Sequence, residues 1–316
     1  MIPTPLFQPR RELGRTGFRV TQLGIGDLAD RSIPLERCVT TVRRALDAGL
    51  NLIDTAPNYE EGYSEQIVGA ALKGRRDGVF VIDKVDQVHE AVAPQVEASL
   101  RNIGLEMVDL FVFHSVSTLT DWRRIAGPNA GMDQLSWCVQ EGKVRFRGIS
   151  SHHPEVLQAA IESGLCDVVM FAIGPFVNER YVKEILPLAR SHKVGSVCFK
   201  TFGAGKLLGD TSGYSRPLVE RPRGKFSSGG ADAPRSAQLP RLTVAECVHY
   251  TLSIDPDVAL LGLGFENEQD AAFAAAKSFV PLEADQLEAI RARARAAIAG
   301  KGPCWWDPEP LPVRVP

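Results

Sequence analysis

The chain has no Cys-x-x-Cys pair, no apolar run of membrane length and almost no net charge. Each absence excludes something. The six cysteines, at 38, 138, 166, 198, 247 and 304, are scattered, several of them inside apolar runs. Cysteines of that kind act as small core residues. They imply no metal knuckle, and a reducing compartment, the cytoplasm, is expected. With 36 basic and 38 acidic side chains the formal charge is −2, which gives neither nucleic acid nor an anionic membrane a surface to hold. No apolar stretch approaches the roughly 20 residues that span a bilayer. The opening residues, Met1 to Glu12, are polar and carry prolines and arginines instead of a signal-peptide core. There is no Gly-x-Ser-x-Gly elbow for a hydrolase. Gly203-Ala-Gly-Lys206 is too short for a phosphate loop, and Leu207 stands where that loop needs Ser or Thr. His152 and His153 are adjacent, without metal-ligand spacing, so no metal is expected.

What is present is a long alternation. The 316 residues, 44% of them apolar, can bury a large core without staples. A hairpin is expected at about 11–22, around Gly14-Arg15-Thr16-Gly17. Short apolar runs then alternate with stretches of helical periodicity. The runs are Gln22 to Ile25, Leu50 to Ile53, Val79 to Ile82, Leu110 to Phe113, Val144 to Ile149, Asp167 to Ile173, Gly195 to Phe199 and Val258 to Leu261. Pro34 opens the first helix and Gly49 follows it; Ser64 reads as the cap of the second, and Thr243-Val-Ala-Glu246 as a capping box later. Ser115 to Gln134 reads as a long loop containing Trp122, and Glu179 to Ser191 as one helix. Residues 203–240 form a long loop rich in Gly, Pro, Ser and Arg, and 302–316 an irregular tail with Trp305 and Trp306. Eight strand–helix units without a sequence repeat predict an α/β fold: a single (β/α)8 TIM barrel over 1–316. The hairpin and a last helix with its tail are extras.

Three of these strands deliver a titratable group at their C-terminal end, where barrels of this kind build active sites. The first run ends at Asp54, with Tyr59 four residues beyond Thr55; the next leads through Asp83 to Lys84; the third leads to His114. A phenol near pKa 10 donates protons poorly at neutral pH. A neighbouring ammonium favours the phenolate and improves it, and Asp54 can supply that ammonium's counter-charge. The His114 imidazole can donate a hydrogen bond to a substrate oxygen. Such a set protonates an alkoxide as it forms, which suits carbonyl reduction. Two other readings compete. Lys84 or Lys200, each at a strand end, could form a Schiff base in an aldolase. Alternatively the barrel could be a non-catalytic binding module.

The residues around this set carry a resemblance. Asp54-Thr-Ala-Pro-Asn-Tyr59, Gly62-Tyr-Ser-Glu65, Ser99 through His114, Gly142-Lys-Val-Arg-Phe-Arg-Gly-Ile-Ser150 and Phe202-Gly-Ala-Gly-Lys-Leu207 together resemble the aldo-keto reductase family, from about Arg11 to Phe279. The resemblance implies an NAD(P)-dependent oxidoreductase reducing an aldehyde or ketone, or oxidising an alcohol or sugar. Tyr59 would be its acid, Asp54 and Lys84 the tuning pair and His114 the orienting group. It also implies a cofactor, NADP or NAD, against Gly26, Asp27, Asp54, Ser150, Ser151, Met170, Phe202, Gly203, Ala204, Gly205, Leu207, Gly264 and Glu268. Ser150-Ser151 stands where a Ser-Asn pair is usual, Met170 where a glutamine is, and Phe202 would stack on the nicotinamide. The adenosine end departs further: Leu263, Gly264 and Gln269 replace the Lys-Ser and Arg that hold a 2′-phosphate, and Ala272-Phe273 a Glu-Asn pair. Lys206, Arg221, Arg223 and Lys225 would compensate by folding over the cofactor. Asp83 stands where a small or hydroxyl residue is usual and would compete with Asp54 for the ammonium. A pocket rim is expected from Asp27, Leu28, Trp122, Phe176 and Trp305 or Trp306.

Overall fold

The computed structural model describes residues 5–26, 31–208, 240–299, 301, 304 and 306–307. Its centre is a closed barrel of parallel strands in the order β10-β3-β4-β5-β6-β7-β8-β9. These strands are β3 (Leu23–Gly26), β4 (Leu52–Asp54), β5 (Phe80–Val85), β6 (Val108–Phe113), β7 (Val144–Ser150), β8 (Val168–Ala172), β9 (Gly195–Phe199) and β10 (Val258–Leu261). β10 pairs with both β9 and β3, so the last strand closes the ring against the first. The expected barrel is therefore present, with the short antiparallel hairpin β1 (Arg11–Glu12) and β2 (Arg19–Val20) in front of it.

The strands are apolar on both faces because both faces are covered. Leu52, Phe80, Ile82, Leu110, Val112, Val168, Met170, Val197, Val258 and Leu260 fill the barrel, together with Leu13 and Val20 from the hairpin. The hairpin is thus the floor. Gly14 lies so close to the start of β9 that a side chain there would meet Gly195 N at 2.2 Å. The outward residues, such as Ile53, Val81, Phe111 and Ile149, pack against the helices. The first of these, α1 (Leu35–Asp47), buries Cys38, Thr41, Val42 and Ala45, and Gly49 follows it at φ 102.

Three expectations change. The second helix, α2 (Tyr63–Leu72), begins one residue before Ser64, and Ser64 is buried, receiving the Thr55 hydroxyl at 2.8 Å instead of capping. Its entry uses Glu60, Glu61 and Gly62, all at positive φ. After α3 (Val92–Ile103), the expected long loop contains a short helix, α4 (Leu119–Ile125), which Thr118 caps by accepting the Asp121 N–H. Trp122 lies inside it, 4% exposed, in the core and not on a pocket rim. Further on, past α5 (Gly131–Gln140) and α6 (Pro154–Glu162), the expected single helix begins as a π-helical turn, Tyr181–Ile185, before α7 (Leu186–Ser191). Pro187 brings no N–H to this ladder, and the Leu186 N–H reaches back five residues to Tyr181 O. The Thr243–Glu246 capping box opens α8 (Val244–Ile254), with α9 (Glu266–Lys277) and α10 (Ala284–Ile298) beyond it.

Candidate active site

Strand alternation decides which side chains reach the barrel mouth. On β5, Phe80 and Ile82 point inward, so Lys84 does too, and Asp83 points outward toward α2. At the end of β4, Asp54 meets it. The Lys84 ammonium lies 2.7 Å from Asp54 Oδ1 and donates to Thr55 O at 2.6 Å. Gly26 on β3 keeps this corner open: a Cβ there would stand 3.2 Å from Asp54 Oδ2. The same ammonium is 4.6 Å from the centre of the Tyr59 ring. Burial alone would strip Lys84 of its charge, but Asp54, with help from Tyr59 and Asp83, outweighs it and raises its pKa. Lys84 is a held cation, the opposite of an amine primed to attack a carbonyl.

His114 packs edge-on to Tyr59, with ring centres 5.8 Å apart. Asp54, Tyr59, Lys84 and His114 thus come together as expected. A fifth group went unnoticed in the sequence. Asp86 accepts from His114 Nδ1 at 2.5 Å through one oxygen and from the Asn58 N–H at 2.8 Å through the other. One carboxylate therefore ties the imidazole to the turn that carries Tyr59. The signal was available, since Asp86 shares Lys84's parity and stands just past the strand end. Burial lowers the His114 pKa against the opposing pull of Asp86.

The opposite side of the mouth is built by β7 and β9. Phe199 and Val197 share parity and face the barrel interior. The Lys200 ammonium lies 5.7 Å from the Phe199 ring centre, and the His152 ring 5.3 Å from it. His152 Nδ1 donates to Trp306 O at 3.0 Å, and the Trp306 indole donates to Phe176 O at 3.3 Å. Trp306 thus packs behind this wall, fully buried.

The expected cofactor contacts separate into two groups. Gly203, Ala204 and Gly205 have φ of 53, 50 and 88, and the Gly203 and Gly205 N–H groups are donated within the turn, to Lys200 O and Phe202 O. Leu207 is buried behind it, and nothing would meet a Cβ at Gly264 within 4 Å. Several of the expected side chains are engaged within the protein. Ser150 Oγ accepts the Ser115 N–H, and Ser151 is fully buried, donating to Val116 O and accepting the His153 N–H. Met170 is inside the barrel, Phe202 belongs to the outer core, and Phe199, at the end of β9, packs against both the barrel interior and that outer core. Glu268 is turned back on the Phe265 N–H, and Gln269 braces Thr41 O and Leu263 O. Lys206 is 1% exposed, 5.4 Å from a Trp306 ring centre, and does not reach over the mouth. Asp27, Leu28, Trp305, Arg221, Arg223 and Lys225 lie outside the described residues.

Comparison with known proteins places this geometry. A model of the Aldo/keto reductase family matches residues 21–252. The chain is 28% identical over 226 residues to the NADH-specific methylglyoxal reductase of Escherichia coli, covering 62% of this chain and 68% of that protein. It is 27% identical over 214 residues to L-galactose dehydrogenase of Arabidopsis thaliana, covering 62% of this chain and 66% of that one. The chain thus spans about two thirds of the length of these relatives. Among solved structures, the holo form of the aldo-keto reductase AKR11C1 from Bacillus halodurans superposes with a TM-score of 0.65 at 24% identity, covering 90% of this chain and 96% of that one. An aldo-keto reductase from Klebsiella pneumoniae in complex with NADPH gives 0.64 at 20% identity, covering 86% and 90%. At those identities the likeness is one of fold.

Proposed function

This chain belongs to the aldo-keto reductase family of oxidoreductases, and we propose that it reduces an aldehyde or ketone with a nicotinamide cofactor, Tyr59 delivering the proton. The observation that carries this reading is the Lys84 ammonium set between Asp54 at 2.7 Å and the Tyr59 ring at 4.6 Å. A bound nicotinamide supplies the hydride. As negative charge grows on the substrate oxygen, the Tyr59 hydroxyl gives up its proton, and the nearby ammonium stabilises the phenolate left behind. Asp54 keeps that ammonium charged and in place. In the reverse direction the phenolate takes the alcohol proton.

His114 narrows the substrate. In the neutral tautomer that carries its proton on Nδ1, facing Asp86, Nε2 is left to accept a hydrogen bond. A substrate with a hydroxyl beside its carbonyl, such as a hydroxyaldehyde or an open-chain sugar, satisfies that nitrogen; a simple alkyl aldehyde leaves it unmatched. The Phe199 ring provides an apolar wall opposite. The cofactor is NADH at least as readily as NADPH, because the first turn of α9 carries Glu266 and Glu268 and would repel a 2′-phosphate. The printed name of the E. coli relative, NADH-specific, supports that preference.

The test is a fluorescence titration with NADH and NADPH, followed by turnover of glyceraldehyde against propionaldehyde. Saturable NADH binding, a glyceraldehyde preference of about tenfold in kcat/KM and loss of turnover in Tyr59→Phe are expected. Binding of neither cofactor would sink the reading and leave the barrel as a binding module. Borohydride trapping of a carbonyl on Lys200 would favour the aldolase.

A further inference from the structure

Behind the Lys84 ammonium lies a pair of buried acids that the proposed reaction does not use. Asp83 is fully buried and Glu65, on α2, is 2% exposed. The two interact electrostatically: beyond burial, the charge on Glu65 pushes the Asp83 pKa up. One oxygen of each is held by a neighbour. Glu65 Oε2 accepts from Asn102 Nδ2 at 2.6 Å. Asp83 Oδ1 accepts the Lys84 backbone N–H at 2.8 Å. Asp83 Oδ2 and Glu65 Oε1 are buried without a hydrogen-bond partner among the described residues.

The bond from Lys84 N to Asp83 is out of place for a strand. The parallel ladder between β4 and β5 runs from Phe80 N to Asn51 O, and from Thr55 N to Ile82 O. The next rung joins Lys84 N to Thr55 O. That rung is missing. Thr55 O instead receives the Lys84 side chain, at 2.6 Å. The displaced backbone N–H, buried and in need of an acceptor, takes the Asp83 carboxyl.

We propose that Asp83 is a positioning residue for Lys84: by accepting the Lys84 N–H it reserves the Thr55 carbonyl for the ammonium, which is thereby held between Asp54 and Tyr59. Burial, then repulsion from Glu65, raises the Asp83 pKa well above its ordinary value. The charged groups facing the pair are Lys84 from β5 and Asp86 beyond its end, with the uncharged Asn102 and Ser99 contributed by α3. The sequence had suggested that Asp83 competes with Asp54 for the ammonium. It serves the same ammonium from behind.

The inference rests on the reductase reading only for its effect on rate, so its test includes a readout without turnover. Tyr59 ionisation is followed by ultraviolet difference absorbance against Tyr59→Phe. Asp83→Ala lets the Lys84 N–H reclaim Thr55 O, and the Tyr59 midpoint should rise by about one pH unit as the ammonium loosens. The alkaline limb of kcat should move with it, at nearly unchanged KM for the cofactor. Asp83→Asn keeps an acceptor oxygen and should restore the midpoint. An unmoved midpoint in Asp83→Ala, or Asn behaving like Ala, overturns the proposal even if the protein proves an excellent reductase. Absence of turnover in every variant overturns the reductase reading and leaves the titration to decide. Should Asp83→Ala not fold, NMR of the wild type decides: the Lys84 amide shift must follow the titration of the Asp83 carboxyl, and a flat trace rejects the bond's role.

Discussion

The Lys84 ammonium and the Asp54 carboxylate are 2.7 Å apart, and both side chains are almost wholly buried. A pair in that setting is held together by mutual need. Removing one partner leaves the other as an uncompensated charge, which typically costs about 3–5 kcal/mol. Asp54→Ala is therefore expected to lower the melting temperature by several degrees and to remove turnover. Lys84→Met should remove turnover with a smaller loss of stability, because Asp54 can be neutralised by a proton. Thermal melts of both variants at pH 7 check the order.

Asp86 gives a prediction of a different kind. Its two oxygens fix the imidazole and the Asn58 N–H separately. Asp86→Ala loses both bonds, and kcat/KM should fall by about ten- to a hundredfold. Asp86→Asn keeps one oxygen acceptor and should fall between. Steady-state kinetics with NADH and glyceraldehyde would show it; equal losses in the two variants would mean that only the charge matters.

The histidines set an acid limit. Burial pushes His152 down to about 3 and lowers His114 as well, so both are neutral when folded. Once unfolded, each takes up a proton below its ordinary value of about 6.5. The unfolded chain then binds more protons, and stability falls as pH drops from about 6.5, toward about 3 in the case of His152. His152→Gln should flatten that decline. Denaturant midpoints at pH 7.5 and pH 5 measure it, and equal pH dependence in wild type and variant would refute the assignment.

The sequence was most legible where strands end in chemistry. Leu52-Ile53-Asp54 and Phe111-Val112-Phe113-His114 show burial and a titratable group in one run, because each apolar run ends in that group at the barrel's C-terminal face. Trp122 was misread because a helix of seven residues gives too little periodicity to separate it from a loop. Asp83 was placed beside the ammonium by adjacency in sequence, although neighbours on a strand point to opposite faces. Asp86 was missed for the complementary reason, since residues two apart share a face.

The ring closes with Asp54, Tyr59, Lys84, Asp86 and His114 all delivered before residue 115, while Phe199, Lys200, His152 and Trp306 come from after residue 150. Labour is divided between the two halves of the chain. Substitutions in the later half can reshape the wall that a substrate meets without disturbing proton transfer. Such a barrel can alter that wall by mutation in one half while keeping the Asp54–Lys84–Asp86–His114 cluster of the other.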